Sequence, residues 1–86
     1  MNPIIGSIVL YKICENDYRD RPEITNNKNV GDILPAIITT VSDIKDGDSF
    51  TVVNLKIFCD GKQDSWHCNV HFGTENGQWN WPVIEK

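Results

Sequence analysis

Four side chains of the types that bind metal ions lie within thirteen residues of one another: Cys59, His67, Cys68 and His71. A zinc site needs four such ligands to converge in a tetrahedron. In an extended strand, however, His67 and His71 project from one face and Cys68 from the other. No Cys-x-x-Cys turn is present to bring them together. The sequence therefore predicts that these residues bind no metal.

The three cysteines, Cys14, Cys59 and Cys68, are also candidates for nucleophilic catalysis. A catalytic thiol needs a neighbouring base and an electropositive setting that favours the thiolate. Cys14 instead stands beside Glu15 and Asp17, and the other two cysteines are in phase with the predicted core. The acidic residues form no recognisable acid–base pair, and the chain has no glycine-rich phosphate loop. We therefore predict that the protein is not an enzyme and uses no cofactor.

Tryptophans are concentrated in the last third of the chain, where residues 78–82 alternate polar and aromatic side chains. An indole either packs in a core, where it buries roughly 150–250 Å², or offers an exposed ring for a base, a peptide or another subunit. We expect Trp66 to pack in the core. For Trp79 and Trp81 the sequence leaves both possibilities open.

Basic residues are few, but three of them cluster with two tyrosines at the end of the first predicted strand and in the loop after it. Together they could form a local pocket for an anion attached to a ring. The alternative is a solvated loop in which Asp17 and Asp20 pair with the arginines, as surface charges commonly do. The candidate ligand-binding residues are Tyr11, Lys12, Tyr18, Arg19, Arg21, Trp79 and Trp81.

The composition argues against several classes of function. The chain of 86 residues carries a formal net charge of −4, which disfavours broad binding to nucleic acid or to anionic lipid. No apolar run approaches the roughly 20 residues of a membrane span, and the N-terminus lacks a signal-peptide pattern. An odd number of cysteines without paired spacing is typical of reduced thiols in a cytosolic compartment.

Alternation of apolar and polar residues with a period of two predicts five short strands and little helix. The first four strands cover residues 6–13, 33–41, 50–59 and 66–72, and the last follows the turn at residues 76–77. Further tight turns are predicted at residues 46–47 and 60–61, both Asp-Gly pairs. The apolar face of the third strand comprises Thr51, Val53, Leu55, Ile57 and Cys59, and that of the fourth comprises Trp66, Cys68, Val70 and Phe72.

These strands predict a single all-β domain over residues 1–86, with a long polar loop over residues 14–32. A connection of this length is typically functional or mobile. A sheet this small must curl onto itself to bury its apolar face. We therefore predict a five-stranded SH3-like barrel, with an OB-like barrel as the alternative.

Three segments give the chain a resemblance to a group of small proteins of tailed phages and prophages. They are residues 31–41 (GDILPAIITTV), 53–61 (VNLKIFCDG) and 77–82 (GQWNWP). The group is similar to this chain over nearly its whole length, including an opening apolar strand that ends in Leu-Tyr. The chain departs from the group in a shorter insertion between Tyr11 and Gly31 and in two histidines of the fourth strand. The resemblance implies a phage origin and a cytoplasmic location in an infected bacterial cell, but no particular activity.

The first functional hypothesis is a non-enzymatic protein that self-associates and sequesters a nucleotide-derived immune signal of the host. The rings and cations named above would hold such a ligand, and pockets of small proteins often form between subunits. The second hypothesis is a protein-interaction module, either a virion component or an inhibitor that binds a host protein through an acidic face. Binding of single-stranded nucleic acid would suit the aromatic residues but not the charge. We expect no membrane partner.

Overall fold

The computed structural model describes residues 3–42 and 52–82. Its strands are β1 (Ile8–Lys12), β2 (Ile33–Ser42), β3 (Val52–Ile57), β4 (Ser65–His71) and β5 (Trp79–Asn80). They form one antiparallel sheet in the order β4-β3-β2-β1-β5. The sheet curls into a half-barrel, in which Phe72, directly after β4, forms a bridge with Trp79 of β5. The prediction of a mostly β chain with almost no helix is confirmed.

The inside of the half-barrel holds one apolar core because alternate residues of each strand point toward it. The buried core residues are Val9, Tyr11, Ile13, Ile24, Leu34, Ala36, Ile38, Val53, Leu55, Ile57, Val70 and Trp79. The inward face predicted for the third strand is confirmed at Val53, Leu55 and Ile57. Phe50, Thr51 and the predicted turn at residues 46–47 lie outside the described residues.

A β-bulge in β4 changes which side chains point inward. Leu55 pairs with His67 and Val53 with Val70, so two residues of β4 oppose Asn54 alone. The bulge residue Asn69 has a left-handed φ of 55°, and its amide donates a hydrogen bond to the Asn54 side chain at 3.1 Å. An extra residue in a strand reverses the alternation beyond it.

The bulge overturns two expectations for this strand. Trp66 is 55% exposed, so the prediction that it packs in the core is wrong. His67 and His71 do not share a face either, because they lie on opposite sides of the bulge. His67 is half-buried with its ring against Tyr11, whereas His71 is exposed. The prediction assumed a strict period of two across residues 66–72, so it did not include the reversal of inward and outward side chains at the bulge.

The connection between β1 and β2 contains a short helix α1 (Asp17–Asp20) and a 3₁₀ turn over Pro22–Thr25. Ile24 of the 3₁₀ turn is fully buried and joins the core, and Asp17 is fully buried as well. Part of the predicted polar loop is therefore packed against the sheet. No helix among residues 3–42 and 52–82 is long and apolar enough to cross a membrane.

The outer side of the sheet is also apolar over much of its area. Cross-strand pairs place Ile8 beside Ile37, Ile37 beside Lys56, and Lys56 beside Trp66 in one row. A second row contains Leu10 beside Pro35, whose carbonyl accepts a hydrogen bond from the Phe58 amide. We call Ile8, Leu10, Ile33, Pro35, Ile37, Phe58 and Trp66 the outer apolar face.

Candidate ligand-binding site

An open groove of about 660 Å³ lies on the outer side of the sheet at the end where β1, β2 and β5 meet. Small-molecule sites typically occupy about 300–1,000 Å³, so the groove is large enough for a drug-sized or nucleotide-sized ligand. Strand residues form its floor, and two loops form its walls. The lining residues are Leu10, Lys12, Lys28, Gly31, Asp32, Ile33, Gly73, Thr74, Gln78, Asn80 and Trp81.

The charged side chains of the groove are Lys12, Lys28 and Asp32, which give it a local excess of one positive charge. The rest of the chain is acidic, since the whole carries −4. The Lys12 ammonium donates a hydrogen bond to the Thr74 carbonyl at 3.2 Å. An ammonium has three donors, so Lys12 is held in place while further donors remain for a ligand. The groove is therefore suited to an anionic group.

Trp81 provides an aromatic surface in the same groove. Its ring is half-buried and makes an edge-to-face contact with the buried Trp79 ring, at 5.4 Å between centroids and 83° between planes. Trp79 in turn packs against Phe72 at 4.8 Å. Such contacts fix the orientation of a ring and leave little rotamer freedom to be lost on binding. A base or other planar ring can stack on an indole held in this way.

Hydrogen bonds to the 73–78 loop shape the wall next to Trp81. The Asn80 side-chain amide donates to the Gly73 carbonyl at 3.2 Å, and its oxygen accepts the Trp81 amide at 2.7 Å. The Gln78 side-chain oxygen accepts the Glu75 amide at 3.0 Å. Gly77 has a φ of 83°, which only glycine adopts without strain, and this completes the predicted turn at residues 76–77. Hydrogen bonds within the chain therefore hold the polar wall in place.

The seven residues that the sequence predicts as a ligand site lie in three different parts of the structure. Lys12 and Trp81 both line the groove. Tyr11 and Trp79 are core residues, with 0% and 1% exposure. The other three lie on α1 and directly after it: Tyr18, Arg19 and Arg21.

The cations on and after α1 are paired with acidic residues. Arg19 is exposed and pairs with Asp20 at 3.2 Å. Arg21 is mostly buried and its Nε donates to the Asp17 carboxylate at 2.8 Å. Pairing of this kind was the alternative that the sequence left open for the loop. Of the three cations proposed from the sequence, Lys12 lines the groove and the two arginines do not.

Most of the groove residues were not predicted from the sequence, and among them are Lys28, Gln78 and Asn80. Lys28 lies in a polar segment that matches no binding motif. Its position follows from pairing, because Lys12 is opposite Ile33 and the Gly31 amide donates to the Ile13 carbonyl. A strand-register argument from the Leu-Tyr-Lys end of β1 could have brought residues 28–33 next to Lys12.

A second cluster of polar side chains is buried at the end of the half-barrel. The Asp17 carboxylate accepts hydrogen bonds from the Tyr11 hydroxyl at 2.8 Å, the Cys14 amide at 3.0 Å and the Arg21 guanidinium at 2.8 Å. Burial, and then the hydrogen bond to Asp17, raise the pKa of Tyr11 well above its usual range. The hydroxyl therefore stays protonated and acts as a donor. The cluster connects α1 to β1.

His67 lies with its ring edge-on to Tyr11 of this cluster, at 5.8 Å between centroids. Burial, followed by the charge of Arg21, lowers the pKa of His67, although Asp17 and Asp20 act in the opposite direction. The folded protein therefore favours the neutral imidazole. The unfolded chain binds a proton at a pKa of about 6.5, so it holds more protons than the folded chain just below that pH.

We expect the free energy of unfolding to fall as the pH is lowered from about 7.5 through 6.5 toward 5.5. The His67→Gln variant should show a flatter slope over this window, because glutamine does not titrate. Urea unfolding at a series of pH values measures both slopes, and only the slopes are compared, since the substitution also changes packing. Equal slopes for the two proteins would contradict the assignment.

The three thiols are free and half-buried. Burial, together with the charges of Glu23 and Asp64, raises the pKa of Cys59, so its thiol is a poor nucleophile. Within residues 3–42 and 52–82, no three His, Cys, Asp or Glu side chains lie close enough together to hold a metal ion.

No protein-family model matches this chain, and the comparisons with curated proteins and with solved structures also found no match.

Proposed function

We propose that this protein is a non-enzymatic binding protein for a small anionic ligand that contains an aromatic ring, such as a nucleotide. One observation carries the proposal: Lys12, Lys28 and the fixed ring of Trp81 line the same groove. Phosphate groups would bind the two ammonium groups, and the base would stack on the indole. The amides of Asn80 and Gln78 would contact polar edges of the base or sugar.

The resemblance to phage proteins supplies a biological setting for this binding. We infer that the protein acts in the cytoplasm of an infected bacterial cell and sequesters a nucleotide-derived immune signal of the host. Sequestration needs only affinity and abundance, which a domain of 86 residues can provide without catalytic machinery. In this proposal the half-barrel is an SH3-like barrel, and an OB-like barrel is the alternative.

A melting-temperature screen tests the proposed function. The probes are ADP-ribose, a cyclic dinucleotide and mononucleotides, and the controls are the uncharged nucleosides and inorganic phosphate. A ligand at a hundred times its Kd adds about 2.7 kcal/mol of stability, which for a domain of this size raises Tm by on the order of 10 °C.

We expect such a shift with at least one phosphorylated compound, a much smaller one with its nucleoside, and little with phosphate alone. Protein purified from infected cells should also release a nucleotide when denatured. The proposal fails if no phosphorylated compound shifts Tm and no small molecule is released.

A protein-interaction module is the second candidate, and the outer apolar face is the observation that favours it. Exposed apolar patches of several hundred Å² commonly mark interaction sites. A stoichiometric protein partner from infected cells, with no extracted nucleotide, would favour this candidate over the first.

A further inference from the structure

We propose that the outer apolar face is a self-association surface, on which two copies of this chain pack sheet against sheet. The exposed fractions are 62% for Ile8, 52% for Ile33, 38% for Phe58 and 55% for Trp66. With roughly 200 Å² for each fully exposed large side chain, these four residues alone present about 400 Å². A contiguous apolar patch of this size is often a functional contact surface.

The area of the face matches what a stable dimer needs. A standard interface buries roughly 800 Å² from each partner, and in homodimers about 65% of it is apolar, or about 520 Å². Leu10, Pro35 and Ile37 belong to the same face and add to the 400 Å² of the four most exposed residues. The face therefore supplies the apolar area of one half of a homodimer interface.

The charges of the face favour a second copy over an oppositely charged partner. Lys56 lies on the outer apolar face, with Trp66 as its cross-strand neighbour. Asp64 is exposed and precedes β4 by one residue. Lys12 lies opposite Ile33 and the exposed Asp32 directly precedes Ile33, so two cations and two carboxylates balance along the face although the chain as a whole carries −4. Under a two-fold axis, Lys56 of one copy can approach Asp64 of the other, which would pair opposite charges across the interface.

The shape of the molecule is also suited to stacking. Its extents are 37 × 34 × 21 Å, so it is flattened along one direction. Two sheets that pack face to face lie about 10 Å apart with their strands nearly aligned. Such a pair would bury the second apolar side of a sheet whose first side already packs on the core. Trp66 is the largest exposed ring on the face, so we expect it to be the hot spot that contributes most to the binding energy.

Sedimentation equilibrium tests the proposal, with Trp66→Glu and Ile8→Glu as variants and Tyr18→Glu as the control. Tyr18 is a similarly exposed aromatic residue, at 49%, but lies on α1 outside the face. We expect the wild type and Tyr18→Glu to have twice the 9.8 kDa chain mass. Each face variant should raise the dimer dissociation constant at least about thirtyfold, with an unchanged circular dichroism spectrum.

A wild type that stays monomeric at millimolar concentration would overturn the proposal, as would a dimer that both face variants leave intact. A monomeric wild type that captures a different protein through Trp66 would assign the face to that partner instead. Leu10 and Ile33 belong to both the outer apolar face and the groove lining, so the two proposals are tested with residues that belong to only one of these surfaces. Lys28→Glu should leave the dimer intact, and Trp66→Glu should leave nucleotide binding intact. Failure of one proposal is thus distinguishable from failure of the other.

Discussion

The Asp17→Ala variant is expected to lose on the order of 3–5 kcal/mol of unfolding free energy, as is typical when one partner of a buried ion pair is removed. Alanine leaves three donors without an acceptor: the Tyr11 hydroxyl, the Cys14 amide and the Arg21 guanidinium. It also leaves the guanidinium without its counter-charge. Because small domains have low total stability, this loss would remove a large part of it.

Asp20→Ala is the matched control, since Asp20 lies on the same helix but pairs with an exposed Arg19. Exposed ion pairs contribute about 0–1 kcal/mol, so this variant should unfold close to wild type in urea. If Asp17→Ala cannot be purified, Tyr11→Phe removes one of the three donors and should cost about 1 kcal/mol. An Asp17→Ala variant within about 1 kcal/mol of wild type would show that the cluster does not stabilise the fold.

The Lys28→Glu variant is expected to bind a phosphorylated nucleotide at least tenfold more weakly than wild type. A hydrogen bond to a charged group is worth about 1.5–3 kcal/mol, and 1.4 kcal/mol corresponds to a factor of ten in Kd. The new carboxylate would be the second one in the groove, after Asp32, and would repel phosphate. Isothermal titration calorimetry measures the change with the nucleotide that gives the largest melting shift.

Lys62→Glu is the control for this substitution. Lys62 is exposed in the connection between β3 and β4, outside the groove, and its replacement changes the net charge by the same amount. Binding by Lys62→Glu should therefore stay near wild type. Equal weakening by the two variants would mean that total charge, rather than the groove, governs binding.

Much of the sheet could be predicted from the sequence because its strands alternate regularly. Val53, Leu55 and Ile57 point inward as their spacing predicts. The prediction fails in β4, where the Asn69 bulge moves Trp66 to the surface. A bulge depends on hydrogen bonds to the neighbouring strand, and the local pattern of apolar residues does not record these.

The site was predictable only in part, for a similar reason. Lys12 and Trp81 could be proposed from their residue types and their neighbours in the sequence. The position of Lys28 in the groove depends instead on how β1 and β2 pair. From the sequence, Asp17 was expected to be a solvated acidic residue of the loop. Its burial depends on Tyr11 and Arg21, which converge on it only in the folded chain.

The groove is tested most directly by backbone amide chemical shifts recorded by NMR during titration with ADP-ribose and with a cyclic dinucleotide. We expect saturable shifts for at least one of them, largest at residues 28–33 and 73–81 and in the Trp81 indole. Saturable shifts centred on α1 or on β4, with the groove residues unchanged, would contradict binding in the groove. The same holds if neither compound causes any shift.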